Sequence, residues 1–122
     1  MKSSFFQLFL RKTRRGYVIE NQYQAKLIKK LYKTFPGCVV VKNDPGYQQG
    51  ILDLTILYGP NWASLEVKAS ANSRVQPNQE HFVRTLDDMS FAAFIYPENE
   101  AEVLDALQQA FEISRRTCVP ES

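Results

Sequence analysis

Gly50-Ile51-Leu52-Asp53-Leu54-Thr55-Ile56-Leu57-Tyr58, Gly59-Pro60-Asn61, and Ala63-Ser64-Leu65-Glu66-Val67-Lys68-Ala69 are the segments on which the fold turns. Residues 51–58 form a short apolar run of the kind that makes a buried strand, and the Gly59-Pro60-Asn61 turn closes it. Residues 63–69 alternate, so the two segments together predict a β-hairpin. In the second strand Ala63, Leu65, Val67 and Ala69 point one way, while Ser64, Glu66, Lys68 and Ser70 point the other. Asp53 interrupts a strand that is otherwise apolar on both faces. Aspartate is depleted in strands, and an unpaired buried carboxylate is costly. It needs a cation, hydrogen bonds or a raised pKa. One alternative is that Asp53 caps a loop through backbone amides. Glu66 and Lys68 alone would read as a solvated strand face with a weak ion pair. Beside Asp53 on the adjoining strand, they become two carboxylates able to share a divalent cation, with an ammonium next to them.

Outward from the hairpin, helical periodicity marks residues 18–35. Tyr23, Leu27, Ile28, Leu31, Tyr32 and Phe35 recur every three or four positions as one buried stripe, and Lys26, Lys29, Lys30 and Lys33 line another face. Pro36-Gly37 stops that helix. Residues 38–42 predict a short strand, and a turn-rich loop from Asn43 leads to Gly50. Beyond the hairpin, Pro77 suits the first turn of a second helix with the stripe Phe82, Val83, Leu86 and Met89. Residues 91–96 predict a fourth strand. Asn99 with Glu102 resembles a capping box opening a last helix, which carries Val103, Leu104, Leu107, Ala110 and Phe111. The order α-β-β-β-α-β-α describes an α/β fold, a mixed central sheet flanked by helices. Glu20 has two readings. It shares a helix face with positions 24, 27 and 31, beside the buried stripe, and it also suits a first turn by charge.

At 122 residues and 44% hydrophobic, the chain suits one domain, with a core at about 18–113 and a basic and apolar extension over 1–17. The net charge of +2 conceals a split: residues 1–42 hold ten Lys or Arg against Glu20, and residues 43–122 hold five against twelve acids. Such asymmetry suggests a polyanion-facing surface in the first third; an ordinary solvated basic helix has the same composition. Cys38 and Cys118 have no zinc-type spacing and read as free thiols in a reducing compartment. The apolar opening at 4–10 is interrupted by Gln7 and precedes its basic cluster, unlike a signal peptide, and no run is long enough for a membrane span. A cytoplasmic protein is expected. The single histidine, His81, reads as a surface or structural residue, which leaves zinc without ligands.

Phosphodiester hydrolysis gives the acid–acid–lysine set a purpose. A hard cation on carboxylate oxygens polarises the phosphoryl oxygen and lowers the pKa of a water, and Lys68 orients that water or stabilises the transition state. Mg2+ or Mn2+ matches these ligands. Together with Pro36-Gly37, Asn43, Gly46, Gly50-Ile51-Leu52-Asp53, Leu65-Glu66-Val67-Lys68 and Gln79, the pattern resembles the PD-(D/E)xK nuclease superfamily. Within it, the VRR-NUC and archaeal-type Holliday junction resolvase branch is the nearest likeness, over about residues 20–96. The resemblance implies a restriction-endonuclease-like αβββαβ core. It implies Asp53, Glu66 and the Val67 carbonyl as metal ligands, Lys68 as the catalytic lysine, and Glu20 as the helix-borne acid completing the site. Gln79, on the stripe of Phe82, Val83 and Leu86, would turn its amide to the site; a solvent-exposed helix start is the other reading. The family often has proline where this chain has Leu52.

The expected activity is therefore a metal-dependent, structure-selective DNA endonuclease. A homing or restriction-type enzyme on the same core, or a non-catalytic nucleic-acid-binding module, are the alternatives. Arg11, Lys12, Arg14, Arg15, Lys26, Lys29, Lys30 and Lys33 are candidate phosphate contacts, which position DNA without reading sequence. A homodimer is expected, because one site serves one phosphate at a time. Phe5, Phe6, Leu8, Phe9 and Leu10 are its candidate interface or, equally, a segment folded onto its own domain.

Overall fold

The hairpin forms where the sequence places it, and its turn has a stereochemical cause. Gly59 sits at φ +59°, in the left-handed region that favours glycine, and a two-residue connection joins the strands. The computed structural model describes residues 4–44 and 46–118, with side chains for 19–44 and 46–113. Along them run α1 (Ser4–Thr34), β1 (Val39–Lys42), β2 (Leu54–Tyr58), β3 (Asn61–Val67), α2 (Pro77–Met89), β4 (Ala92–Ile95) and α3 (Glu100–Cys118). The sheet order is β1-β2-β3-β4, with β1/β2 and β2/β3 antiparallel and β3/β4 parallel. The fold is mixed α/β, with a four-stranded mixed sheet and three helices among the described residues.

Alternation assigns the two faces. Leu54, Ile56, Ala63, Leu65, Val67 and Ile95 join Leu27, Leu31, Phe35, Leu104, Leu107 and Phe111 in one buried cluster, so α1 and α3 cover that face. Residues one position along in each strand point the opposite way, toward α2. Tyr23 donates from its hydroxyl to Glu100 Oε1 at 2.9 Å and Lys30 pairs with Oε2, tying α1 to the start of α3.

Several boundaries and contacts differ from expectation. The first helix starts at Ser4, not near residue 18, so most of the expected extension is its first half. Its weakest former is Gly16, which costs only about 1 kcal/mol in a helix interior. The side chains of Arg11, Lys12, Arg14, Arg15 and the Phe5–Leu10 segment lie outside the described residues, as does that of Cys118. Cys38 is a free, buried thiol. β2 begins at Leu54 instead of Ile51, and it is buried on one face only: Leu52, Leu54 and Ile56 are inside, whereas Leu57 is exposed. Tyr32 leaves the buried stripe because its hydroxyl accepts the Val40 N–H at 3.1 Å, capping the free edge of β1. Met89 is exposed, for α2 ends there, and no residue of α2 is fully buried. Asn99 does not form a capping box with Glu102. Its Oδ1 accepts from the Tyr96 N–H and its Nδ2 donates to the Phe94 carbonyl, so it caps the edge of β4 instead.

Among the described residues, no helix is long and apolar enough to cross a membrane.

Candidate active site at the mouth of the hairpin

Extending the β2/β3 register by one pair sets Asp53 opposite Glu66, both on the α2 side of the sheet. The ladder there is carried by side chains. The Val67 N–H donates to Asp53 Oδ2 at 2.8 Å, and the Asp53 N–H donates to Glu66 Oε1 at 3.2 Å. Asp53 therefore does bond a backbone amide, as the capping alternative required, but it does so beside a second carboxylate. Asn43 fixes its backbone. The Asn43 N–H donates to the Asp53 carbonyl at 2.8 Å, and Asn43 Nδ2 donates to the Leu52 carbonyl at 2.8 Å and to Thr55 Oγ1 at 2.9 Å.

Glu66 and Lys68 are both buried, not a solvated strand face. Lys68 Nζ lies 3.6 Å from Glu66 Oε2 and donates to Gln79 Oε1 at 2.9 Å. Gln79 Nε2 donates to Glu66 Oε2 at 2.6 Å, and Oε1 also accepts the Gln76 N–H at 3.1 Å. One amide thus holds the acid, the lysine and the first turn of its own helix. With Oε1 bound to two donors and Nε2 to a carboxylate, only one orientation of the amide satisfies all three bonds. Gln79 faces the site, and the solvent-exposed reading is ruled out.

Burial pushes the Glu66 carboxyl up, and the neighbouring Asp53 charge pushes it further, to about 7, against the lowering effect of Lys68. Burial also raises Asp53, opposed by the Val67 amide, Lys68, a side-chain hydrogen bond with Glu66, and Lys42. Glu20 is half-buried. Its carboxyl is raised first by burial and then by Asp53, while Lys68 lowers it. Its first-turn reading falls with the longer helix, and it stands within electrostatic reach of the pair. Among the described residues no three His, Cys, Asp or Glu side chains gather as a ligand cluster, so Glu20 borders the carboxylate pair without joining it.

The donor set suits a hard divalent cation. Two carboxylates sit close enough to share a hydrogen bond, and Asp53 Oδ2 takes the Val67 N–H. An extended residue's N–H and C=O point to the same side of its strand, so the Val67 carbonyl shares the Asp53 side with its N–H. Mg2+ characteristically takes one or two carboxylates and keeps several waters. His81 is exposed and distant in role, its ring edge-on to Phe82 at 6.1 Å.

The lysine stripe is not part of this site. At about 100° per residue, Lys26, Lys29 and Lys33 fall opposite Leu27 and Leu31, on the side of α1 turned from the sheet. Lys30 is engaged by Glu100. Besides Lys68, the basic residue that acts on Asp53 is Lys42, at the end of β1 and paired in register with Leu54. Its place beside the expected aspartate was visible in the strand order, but within a valine-rich strand it gave no signal of its own.

Compared with known proteins, the chain matches no family model, no curated protein and no solved structure.

Proposed function

We propose that this protein is a metal-dependent DNA endonuclease of restriction-endonuclease-like architecture, selective for DNA structure over sequence. The observation that carries the reading is the convergence of Asp53, Glu66 and Lys68, with Gln79 locking the last two and Glu20 at the rim. Such a set is expensive to bury: burial raises both carboxylates, and the Asp53 charge raises Glu66 further, against the lowering effect of Lys68 on each. A binding module gains nothing from carboxylates turned toward phosphate. The α-β-β-β-α-β order with an antiparallel hairpin followed by a parallel strand agrees with the same reading.

Asp53, Glu66 and the Val67 carbonyl would hold Mg2+ or Mn2+. When bound, the ion neutralises the carboxylates, polarises a phosphoryl oxygen and acidifies a water. The chain's own residues do the rest. Lys68 presents an ammonium held by Gln79 Oε1, so its proton donors are oriented before substrate arrives, which favours stabilisation of charge developing on phosphate. Gln79 positions both Lys68 and Glu66. Glu20, its carboxyl raised, holds or takes a proton at the edge of the site.

The test is incubation with Mg2+ or Mn2+ and a panel of linear, flapped and four-way DNA of one sequence. Glu66→Gln and Lys68→Ala should abolish cleavage and retain folding and DNA binding. Near wild-type turnover in either rejects the assignment. Each chain supplies one such set, and a four-way junction needs two symmetric incisions, so the proposal extends to a homodimer. A monomer by sedimentation at working concentration removes that extension.

A further inference from the structure

We infer that the groove around the free edge of β4 receives one unpaired nucleoside of the DNA substrate, its phosphate held at Lys68; this rests on the nuclease reading above. A cavity of about 600 Å³ lies there, and Lys68 is part of its wall. The same Lys68 stands 3.6 Å from Glu66 Oε2, so the cavity and the carboxylate site share that residue. The lining comes from both faces of the sheet. Phe94, in register with Glu66, belongs to the α2 side, and Ala93, in register with Leu65, to the other. Val103 and Ala106 of α3, with Val75 of the loop before α2, extend its apolar part.

The loop side of the cavity is tied in place. The Ser70 N–H donates to Ser73 Oγ at 3.1 Å, and the Asn72 N–H donates to Ser70 Oγ at 3.2 Å. The Ala71 N–H donates to Glu98 Oε2 at 3.0 Å, which fastens the loop to the segment before α3. Ser70 and Ser73 both line the cavity, and each hydroxyl, having accepted an amide, still carries a proton to donate.

The occupant follows from chemistry. An extended peptide adding to β4 needs the outward N–H and C=O groups of that strand, and three of them are already bonded. The Ala92 N–H donates to Asp87 Oδ1 at 3.0 Å, while Asn99 holds the Tyr96 N–H and the Phe94 carbonyl. Of the lining residues only Lys68 and Glu102 carry charge. Beyond Lys68 the groove therefore offers no cation to a second phosphate, and Glu102 repels one. The volume lies within the roughly 300–1,000 Å³ of small-molecule sites, and apolar walls with a few hydroxyls suit a flat heterocycle with polar edges. A nucleoside carrying one phosphate has this chemistry. In a continuous duplex its base must first leave the stack at a cost, whereas at a flap or an open end it is already free.

The experiment maps the Mg2+-dependent cut in a flapped DNA, then measures affinity in Ca2+ with the unpaired nucleotide beside the cut either intact or abasic. Wild type should bind the abasic flap about tenfold more weakly, within the range that one base contributes. Ala106→Trp, at an exposed position of α3, fills the groove. It should bind the intact flap about tenfold more weakly and lose nothing further on the abasic one, a non-additivity that general damage to the fold does not produce. Val75→Trp fills the groove from the loop and should behave alike, and Ala106→Ser should match wild type. Equal wild-type affinity for the intact and abasic flaps overturns the inference, as do losses that add in both groove-filling variants. Cleavage of four-way junctions but of no flapped or open-ended DNA also overturns it and leaves the nuclease reading standing; no wild-type cleavage of any DNA removes both.

Discussion

Replacing Asp53 with asparagine keeps the shape of the side chain, and its Oδ1 can still accept the Val67 N–H that now bonds Asp53 Oδ2. Only the charge goes. Glu66 rises from 4.5 to about 7 on folding, which at about 1.4 kcal/mol per pH unit amounts to roughly 3 kcal/mol of native-state cost at pH 8. Burial is the larger cause and survives the substitution; the Asp53 charge is the second cause and does not. The cost of burying Asp53 itself disappears too, offset by its lost attraction to Lys68 and Lys42. A net gain of about 1 to 2 kcal/mol at pH 8 follows, or about 4 to 8 °C in Tm for a chain of this length.

The pH window has a definite sign. Glu66 holds its proton more tightly folded than unfolded, so its contribution to stability is full below pH 4.5 and is lost as pH rises to about 7. Wild-type Tm without metal should therefore decline between pH 5 and pH 8, and that of Asp53→Asn should decline less. Thermal unfolding followed by circular dichroism at pH 5 and pH 8, with EDTA or with Mg2+, reads all of this. Mg2+ should raise the wild-type Tm at pH 8 and leave the variant unmoved. If Asp53→Asn destabilises at pH 8, or gains as much at pH 5, charge repulsion is not what the pair carries.

Three further outcomes are expected. Ca2+ should support DNA binding with little cleavage while Mg2+ or Mn2+ supports both, since calcium's looser coordination positions a water poorly; cleavage surviving excess EDTA contradicts the carboxylate site. Lys42→Ala should weaken binding to all sequences and reduce the salt slope by about one, whereas Lys29→Ala with Lys33→Ala should change the slope less, and the reverse order would move the DNA to the outer face of α1. Gly50→Ala should cost at least about 1 kcal/mol by chemical denaturation, because the Cβ meets both the Phe82 ring and a positive φ; a neutral substitution shows the loop is not pressed on α2.

The parts of the fold legible in sequence are those governed by local periodicity. Alternation assigned Leu65 and Val67 to one face and Glu66 and Lys68 to the other, and spacing of three and four put Leu27 and Leu31 inside. The same rules say nothing about what stands opposite a face. Lys26, Lys29 and Lys33 were correctly read as one stripe, yet their direction relative to the sheet depends on how α1 packs. Lys30 illustrates this, drawn off by Glu100 seventy residues away in sequence. Tyr32 and Asn99 fit local patterns, a stripe and a capping box, and both answer instead to an unpaired strand edge, which exists only once the sheet is assembled. Asp53 and Glu66 were legible for the opposite reason: each conflicts with its local setting, and the conflict shows before any tertiary structure is known.

The hairpin register converts that conflict into a site. With Tyr58 paired to Asn61 and Leu54 to Leu65, each step down the ladder is fixed, and one step further Asp53 faces Glu66. A slip of one residue would send every side chain of one strand through the sheet. Glu66 and Lys68 would then enter the cluster of Leu27, Leu31 and Leu107, and Leu65 and Val67 would face α2. Burying two charges in that cluster without partners would cost several kcal/mol each. The hydrophobic requirement of the α1/α3 face therefore holds the register that brings the carboxylates together. α2 has no comparable claim on the sheet, since none of its residues is fully buried. Its attachment comes from half-buried Phe82, Val83 and Leu86, the fit of Phe82 at Gly50, and the bonds of Gln79 to Glu66 and Lys68. Core packing sets the two strands of the site, and the site's own polar bonds help to hold the helix that covers it.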